Sequence, residues 1–182
     1  MLERTEQEEC VKPNRLTSGS TTGKAKVATS PRSLRRAAMD CLARREHSFF
    51  ELKQKLQLRY SDRSPAEIQD TVERLRQENL QSDRRFVESY VRTRKNLGYG
   101  YAAIRDELRR RFVAEALIDQ FLHKDDGDWE VILGSLVERR LQDPDNFKFG
   151  SKQHLRLARF LQRRGFSQAS IRDSLAPYLR DQ

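Results

Sequence analysis

Ser48-Phe49-Phe50-Glu51-Leu52-Lys53-Gln54-Lys55-Leu56 sets out a small residue, three positions, an aliphatic, three positions and a leucine. The pattern returns as Gly100-x-x-x-Ile104-x-x-x-Leu108 and as Ser167-x-x-x-Ile171-x-x-x-Leu175. Each copy opens on a residue suited to a helix N-cap and then places two aliphatics at i and i+4, on one helical face. A basic pair stands ahead of each copy: Arg44-Arg45, Arg94-Lys95 and Arg163-Arg164. Self-similarity of this kind marks stacked helical repeats, whose usual work is to bind an extended surface rather than to catalyse.

Working outward, helical spacing of apolar residues recurs along the chain. Leu34, Ala37, Ala38, Cys41 and Leu42 precede the first copy, and Ile68, Val72 and Leu75 follow it. Ser48 with Glu51, and Ser64-Pro65-Ala66-Glu67, read as capping boxes, the second with proline at N1. Around the second copy, Asp83 is expected to cap a helix carrying Phe86, Val87, Tyr90, Val91 and Leu97, stopped by Gly98-Tyr99-Gly100. Val113, Ala116, Leu117 and Phe121 follow in a third helix. Asp125-Asp126-Gly127-Asp128 reads as a polar turn with Asp128 as N-cap, since a calcium loop would need acids where Leu122 and Lys124 stand. Trp129, Ile132, Leu133, Leu136, Val137 and Leu141 then form an amphipathic helix, and Asp143-Pro144 and Gly150 bracket a loop. Residues 152–164 form the next helix, ended by Gly165 in the left-handed C′ position. The last helix runs from Ser167 through Leu175, and Pro177 kinks or ends it. No segment alternates with period two, so almost no strand is expected.

The divisions that result are a disordered tail over residues 1–31 and three-helix repeats over 32–80, 81–124 and 125–182. The tail lacks aromatics, Phe49 being the first in the chain, and is dominated by Glu, Lys, Ser, Thr and Gly. Its Gly19-Ser20-Thr21-Thr22-Gly23-Lys24-Ala25 is not a phosphate-binding loop. Such a loop needs four residues between its glycines and a Ser or Thr after the lysine. Hydrophobic residues make up 36% of the 182 and charged ones 35%, so any core is thin and the stack elongated. Lys and Arg outnumber Asp and Glu 36 to 27, and this excess points to an anionic partner, nucleic acid or acidic protein. The two cysteines, Cys10 and Cys41, lie in no C-x-x-C or zinc spacing, which fits a reducing cytosol, with Cys41 a small buried hydrophobe. The Met-Leu-Glu-Arg start holds no apolar run, and no stretch approaches the ~18 apolar residues that span a bilayer. A soluble cytoplasmic protein that makes no membrane contact is expected.

On the 152–164 helix, Lys152, Arg156, Arg159 and Arg163 fall within roughly 60° of arc at 100° per residue, with no acid on that helix. Like charges at i,i+4 repel, a cost that an anionic partner turns into attraction and that salt bridges to another helix would equally relieve. Leu155, Leu157, Ala158, Phe160 and Leu161 occupy the opposite, apolar face. Arg164 falls inside that apolar arc beside the helix stop, where its stem covers apolar surface and its head serves end carbonyls. Arg105 and Arg109 on the second unit complete the candidate partner-binding set with the four cations of the stripe. Catalysis finds no support: His47 precedes an N-cap, and His123 and His154 have no nucleophile or paired carboxylate near in sequence. No catalytic residue, cofactor site or metal site is therefore assigned.

Three stretches together carry a family resemblance. They are Arg45-x-His47-Ser48-x-x-Glu51-Leu52-x-x-Lys55-Leu56; Asp83-x-Arg85-Phe86-Val87 with Gly98-Tyr99-Gly100-x-x-x-Ile104-x-x-Glu107-Leu108; and Arg159-Phe160-Leu161-x-x-Arg164-Gly165-Phe166-x-x-x-x-Ile171. Over about residues 34–180 the chain resembles the RecX regulatory proteins of bacteria, which bind and modulate the RecA recombinase. Arg111-Phe112-Val113 departs from the Lys-Gly-Ile that such proteins often carry, and leaves the turn there in question. The resemblance implies a curved array of three three-helix repeats in the groove of the RecA–DNA filament, inhibiting filament growth, strand exchange and LexA cleavage. A monomer without cofactor is implied, and direct contact with DNA is open. The competing reading is a nucleic-acid-binding module of helix-turn-helix type, although the basic residues are spread over all three units instead of clustering on one recognition helix. An adaptor for some other acidic partner would keep the architecture and change only the partner.

Overall fold

The computed structural model describes residues 31–141 and 147–179. The expectations for the tail, its glycine segment and the Asp143-Pro144 loop lie outside them, except that Pro31 already opens the first helix. Among the described residues the chain is all-α, without a strand. The helices are α1 (Pro31–Leu42), α2 (Phe49–Arg59), α3 (Pro65–Gln77), α4 (Asp83–Asn96), α5 (Tyr101–Arg110), α6 (Glu115–Phe121), α7 (Asp128–Arg140), α8 (Lys152–Arg163) and α9 (Gln168–Leu175). A 3₁₀ turn, Ala176–Tyr178, contains Pro177 and closes α9.

Five of these helices start on a serine whose Oγ accepts the backbone N–H three residues on: Ser48, Ser64, Ser82, Ser151 and Ser167. Each such cap is worth about 1 kcal/mol. Both capping boxes are only half formed. The Glu51 carboxylate, instead of returning to its own cap, takes a two-pronged pair from Arg45, and Glu67 turns to Arg63 at 3.3 Å. Two expected caps are displaced by one residue. Ser82, not Asp83, caps α4, and Gly127, not Asp128, stands at the cap of α7, whose first N–H goes to Asp126 at 3.0 Å. Leu97, expected on the apolar face of α4, is its C-cap and is 55% exposed.

The buried side chains fall into three separate clusters. One joins Leu34, Leu52, Leu56, Ile68 and Leu75 of α1–α3, with Cys41 half-buried against it. The second joins Phe86, Val87, Ile104, Leu108 and Ile118 of α4–α6. The third joins Leu133, Val137, Phe147, Leu157, Leu161 and Ile171 of α7–α9. Every extensive helix–helix contact lies inside one of these triplets. Burying a leucine or phenylalanine stabilises by about 1.5–3 kcal/mol, so each triplet rests on a small core and the junctions between them are largely polar.

At the first junction Asp83, freed from capping its own helix, accepts from the Phe49 N–H at the start of α2 (2.7 Å) and from Gln81 Nε2 (3.0 Å). Gln81 Nε2 also donates to the His47 carbonyl, Ser48 Oγ donates to the Arg111 carbonyl, and Arg85 pairs with Glu46 at 2.8 Å. The turn at Arg111-Phe112-Val113 keeps its geometry without a glycine. Phe112 adopts φ +55°, while the Phe112 and Val113 N–H groups close back on Arg109 and Leu108. The left-handed region costs a non-glycine residue about 1–2 kcal/mol. Phe112 stacks on Phe50 across the junction with centroids 4.0 Å apart, which offsets part of that cost.

His47 is buried at this junction (1% exposed). Its Nδ1–H donates to the Arg45 carbonyl at 2.9 Å, and Lys55 Nζ, 3.3 Å from Nε2, donates to the ring. Burial, above all, holds its pKa below the ordinary imidazole value, with Arg45 and Lys55 pressing the same way against the Arg45 carbonyl and Glu51. A depressed folded-state pKa means that the unfolded chain binds the proton first. The stability His47 contributes is therefore complete above about pH 6.5 and is lost as pH falls through the lower folded value. Melting temperatures at pH 7.5 and 5.5 should differ more for the natural chain than for His47→Gln; equal differences would show that the ring titrates freely.

The second junction is a close approach of backbone. The Gly100 N–H donates to the Arg164 carbonyl at 2.7 Å, and Gly165 sits at φ +90° against α5. A Cβ on Gly165 would lie 2.4 Å from the Ala103 nitrogen, and one on Gly100 would lie 2.8 Å from the Gly165 oxygen. Lys95 fastens the other side, pairing with Asp126 and with Asp128 (2.9 Å) while its ammonium lies 4.6 Å from the Trp129 ring centroid.

Candidate partner-binding surface

Helix α8 is held from both ends, by Ser151 at its start and by the left-handed Gly165 past its finish, and it lays Leu157 and Leu161 into the third core. That seating fixes its opposite side outward. Lys152, Arg156, Arg159 and Arg163 are all exposed, and none has a described carboxylate within ion-pair distance. The buried face is narrower than its periodicity suggests, for Leu155 is 44% exposed.

Arg105 and Arg109 are placed differently. Arg105 pairs with Glu115 at 2.7 Å and Asp119 at 2.8 Å, and Arg109 pairs with Glu115 at 2.6 Å. The Arg109 hydrogen bond, followed by that from Arg105, holds the Glu115 carboxyl below its usual range despite the opposing desolvation. These two arginines close α5 onto α6, and their charge is already matched inside the unit.

Arg164 joins units instead of extending the stripe. Its Nη1 donates to the Leu97 carbonyl at the end of α4 (2.6 Å), and its guanidinium lies 4.5 Å from the Tyr99 ring centroid and 5.2 Å from that of Phe160. The end carbonyl it serves belongs to another helix, in the preceding triplet. Arg164→Ala should destabilise the protein by about 2 kcal/mol, from a lost charge-assisted hydrogen bond and two stacked rings. Urea unfolding followed by Trp129 fluorescence measures this, and an unchanged midpoint would remove Arg164 from the junction.

Two cations escape a reading confined to α8. Arg139 and Arg140, a tandem pair at the end of α7, face α8 across a groove of about 830 Å³ that Lys152, Arg156 and Arg164 also line. No acidic residue among those described lines it, and its apolar surface comes from Leu97, Leu136, Leu157 and Phe160. The Arg140 guanidinium lies 3.8 Å from the centre of the Phe160 ring, which Arg164 also covers. The only sequence signal for this pair is two adjacent arginines in a last helical turn, a position that equally suits dipole compensation. Chemically the surface can hold carboxylates or phosphates through bidentate guanidinium contacts beside an apolar floor.

Comparison with known proteins adds a family. Residues 82–122 match the family model described as RecX, second three-helix domain. The chain is 40% identical over 148 residues to a regulatory protein RecX of Pseudomonas entomophila, covering 80% of this chain and 91% of that one. It is 37% identical over 158 residues to a regulatory protein RecX of Halorhodospira halophila, covering 84% and 92%. The fold matches the crystal structure of RecX from Lactobacillus salivarius with a TM-score of 0.65 at 21% identity, covering 81% of this chain and 96% of that one. Among the described residues no helix is long and apolar enough to cross a membrane.

Proposed function

The chain belongs to the RecX family of regulatory proteins, and on that premise we propose that it binds the RecA–DNA filament in the cytoplasm and lowers its recombinase, ATPase and LexA-coprotease activities. It does so as a monomer and without catalysing a reaction. Its three units, over 32–80, 81–124 and 125–182, lie along successive subunits of the filament, and the polar junctions set their angles. The observation that supports this most is the exposed α8 stripe of Lys152, Arg156, Arg159 and Arg163, which has no described carboxylate partner and stands beside Arg139 and Arg140. Four like charges held on one rigid helix repel until an anionic surface meets them. Arg105 and Arg109 play a lesser part, their charge being matched by Glu115 and Asp119.

The test is direct. Protein added below the RecA concentration should slow ATP hydrolysis by RecA on single-stranded DNA, and should sediment with RecA–DNA filaments but not with RecA lacking DNA and nucleotide. Retention of a short duplex with no effect on RecA would favour the helix-turn-helix reading instead.

A further inference from the structure

We propose that the α7–α8 groove is a docking slot for an acidic, amphipathic protein segment, one that sets Asp or Glu side chains on either side of a Leu or Phe anchor. This deepens the filament-binding reading and rests on it, but commits to the chemistry of what enters one slot.

Charge complementarity supplies the first argument. Arg139, Arg140, Lys152, Arg156 and Arg164 surround the groove, and no acid among the described residues lines it. Two of these cations are already oriented. Arg164 is tied to the Leu97 carbonyl, and both Arg164 and Arg140 lie over the Phe160 ring. Little side-chain freedom is then left to lose when a carboxylate arrives.

The floor supplies the second, and it separates protein from nucleic acid. A single strand is held by stacking its bases on free aromatic faces above a track of cations. The aromatic of this groove, Phe160, already has the Arg140 guanidinium 3.8 Å and the Arg164 guanidinium 5.2 Å from its ring centre, so a base would compete with cations for it. The groove does offer aliphatic surface, Leu97 above all, at the mouth between α4 and α8 and 55% exposed. A phosphate chain gains nothing from that leucine, whereas a buried anchor side chain does. The groove's size, about 830 Å³, admits a short stretch of backbone with such an anchor. Gln153 also lines the groove, and its buried Nε2 has no acceptor among the described residues, a donor that an oxygen of the incoming segment would satisfy.

The experiment uses the full chain and three fluorescein-labelled probes of equal length: a peptide of alternating Asp and Glu with a central Leu-Phe pair, an oligoglutamate, and an oligothymidylate. Anisotropy at two salt concentrations should show the Leu-Phe peptide binding roughly 10-fold tighter than oligoglutamate, the gain expected from burying part of one anchor. Leu97→Ser should abolish that gain while leaving the oligoglutamate affinity unchanged. Arg140→Gln should weaken both peptides. Val131→Ser, at a 70% exposed position outside this groove, is the control that changes nothing. Melting curves check that each variant is folded. Equal binding of the two peptides, or indifference of the Leu-Phe peptide to Leu97→Ser, overturns the slot. Tighter binding of the oligothymidylate, lost on Arg140→Gln, overturns it in favour of nucleic acid. Sedimentation of the same variants with RecA–DNA filaments keeps the two readings apart. If filaments still capture the protein while the peptides fail, the slot is wrong and the filament reading stands; if filaments never capture it, that reading fails first.

Discussion

Gly165→Ala is expected to be the most damaging single methyl that can be added to this chain. Two effects coincide at that position. Its φ of +90° lies where an L side chain is strained by about 1–2 kcal/mol. The new Cβ would also stand 2.4 Å from the Ala103 nitrogen and 2.6 Å from the Ala103 Cβ, against the backbone of another helix that cannot swing aside. A total loss of about 3–5 kcal/mol follows, near the top of the range for one substitution, and lowers the melting temperature by roughly 10 °C. Gly150→Ala is the matched control: its φ of +74° is equally left-handed, but nothing lies within 4 Å of its Cβ, so strain alone remains. Trp129, the single tryptophan, sits at the junction and reports its opening by fluorescence. Because the three cores are separate, the loss should fall on the second and third units and spare the first. Equal midpoints for the two alanine variants would mean that α5 and α8 do not need this close approach.

The second large effect is on binding and not on stability. Arg156→Glu, Arg159→Glu and Arg163→Glu combined should weaken capture by RecA–DNA filaments by roughly 100-fold, the sum of three exposed attractions turned to repulsion. The fold should hardly register the change. All three positions are exposed without a described carboxylate partner, and such substitutions usually stay within about 0.5 kcal/mol each. Only the 152–156 pair turns from repulsion to attraction, which returns a few tenths of a kcal/mol, because positions 159 and 163 stay like-charged as glutamates. Binding of the natural chain should itself fade with added salt, since exposed charges are screened beyond about 8 Å at physiological ionic strength. Sedimentation at two salt concentrations, beside a melt, measures all of this. A triple variant that unfolds would make the stripe internal glue, and one that binds undiminished would move the partner surface off α8.

The capping serines, the left-handed glycine after α8 and the apolar i,i+4 pairs are signals carried within four or five residues, and they are found where the chain's own spacing puts them. The misplaced caps show the limit of such signals. Ser82 and Asp83 are both competent N-caps, and the choice between them is made by the Phe49 N–H, 34 positions away, which takes the aspartate. The half-formed capping boxes have a nearer cause: Glu51 is drawn to Arg45, six residues before it, and Glu67 to Arg63, four residues before it. Arg105 and Arg109 read along the chain as freely available as the α8 cations, but Glu115, on the next helix, faces both.

The sequence by itself thus determined the all-helical class, the helix-by-helix order, the exposed stripe on α8 and the family resemblance, because each depends on periodicity and local chemistry along one strand of chain. Only the tertiary structure decided which charges remain unmatched and where they meet. Arg139 and Arg140 join Lys152 and Arg156 because α7 and α8 pack on the same core, and Arg164 leaves the stripe because the carbonyl of Leu97 lies within its reach. Those outcomes follow from the angles at which rigid helices cross and the distances between their ends, which no repeat within a single helix encodes.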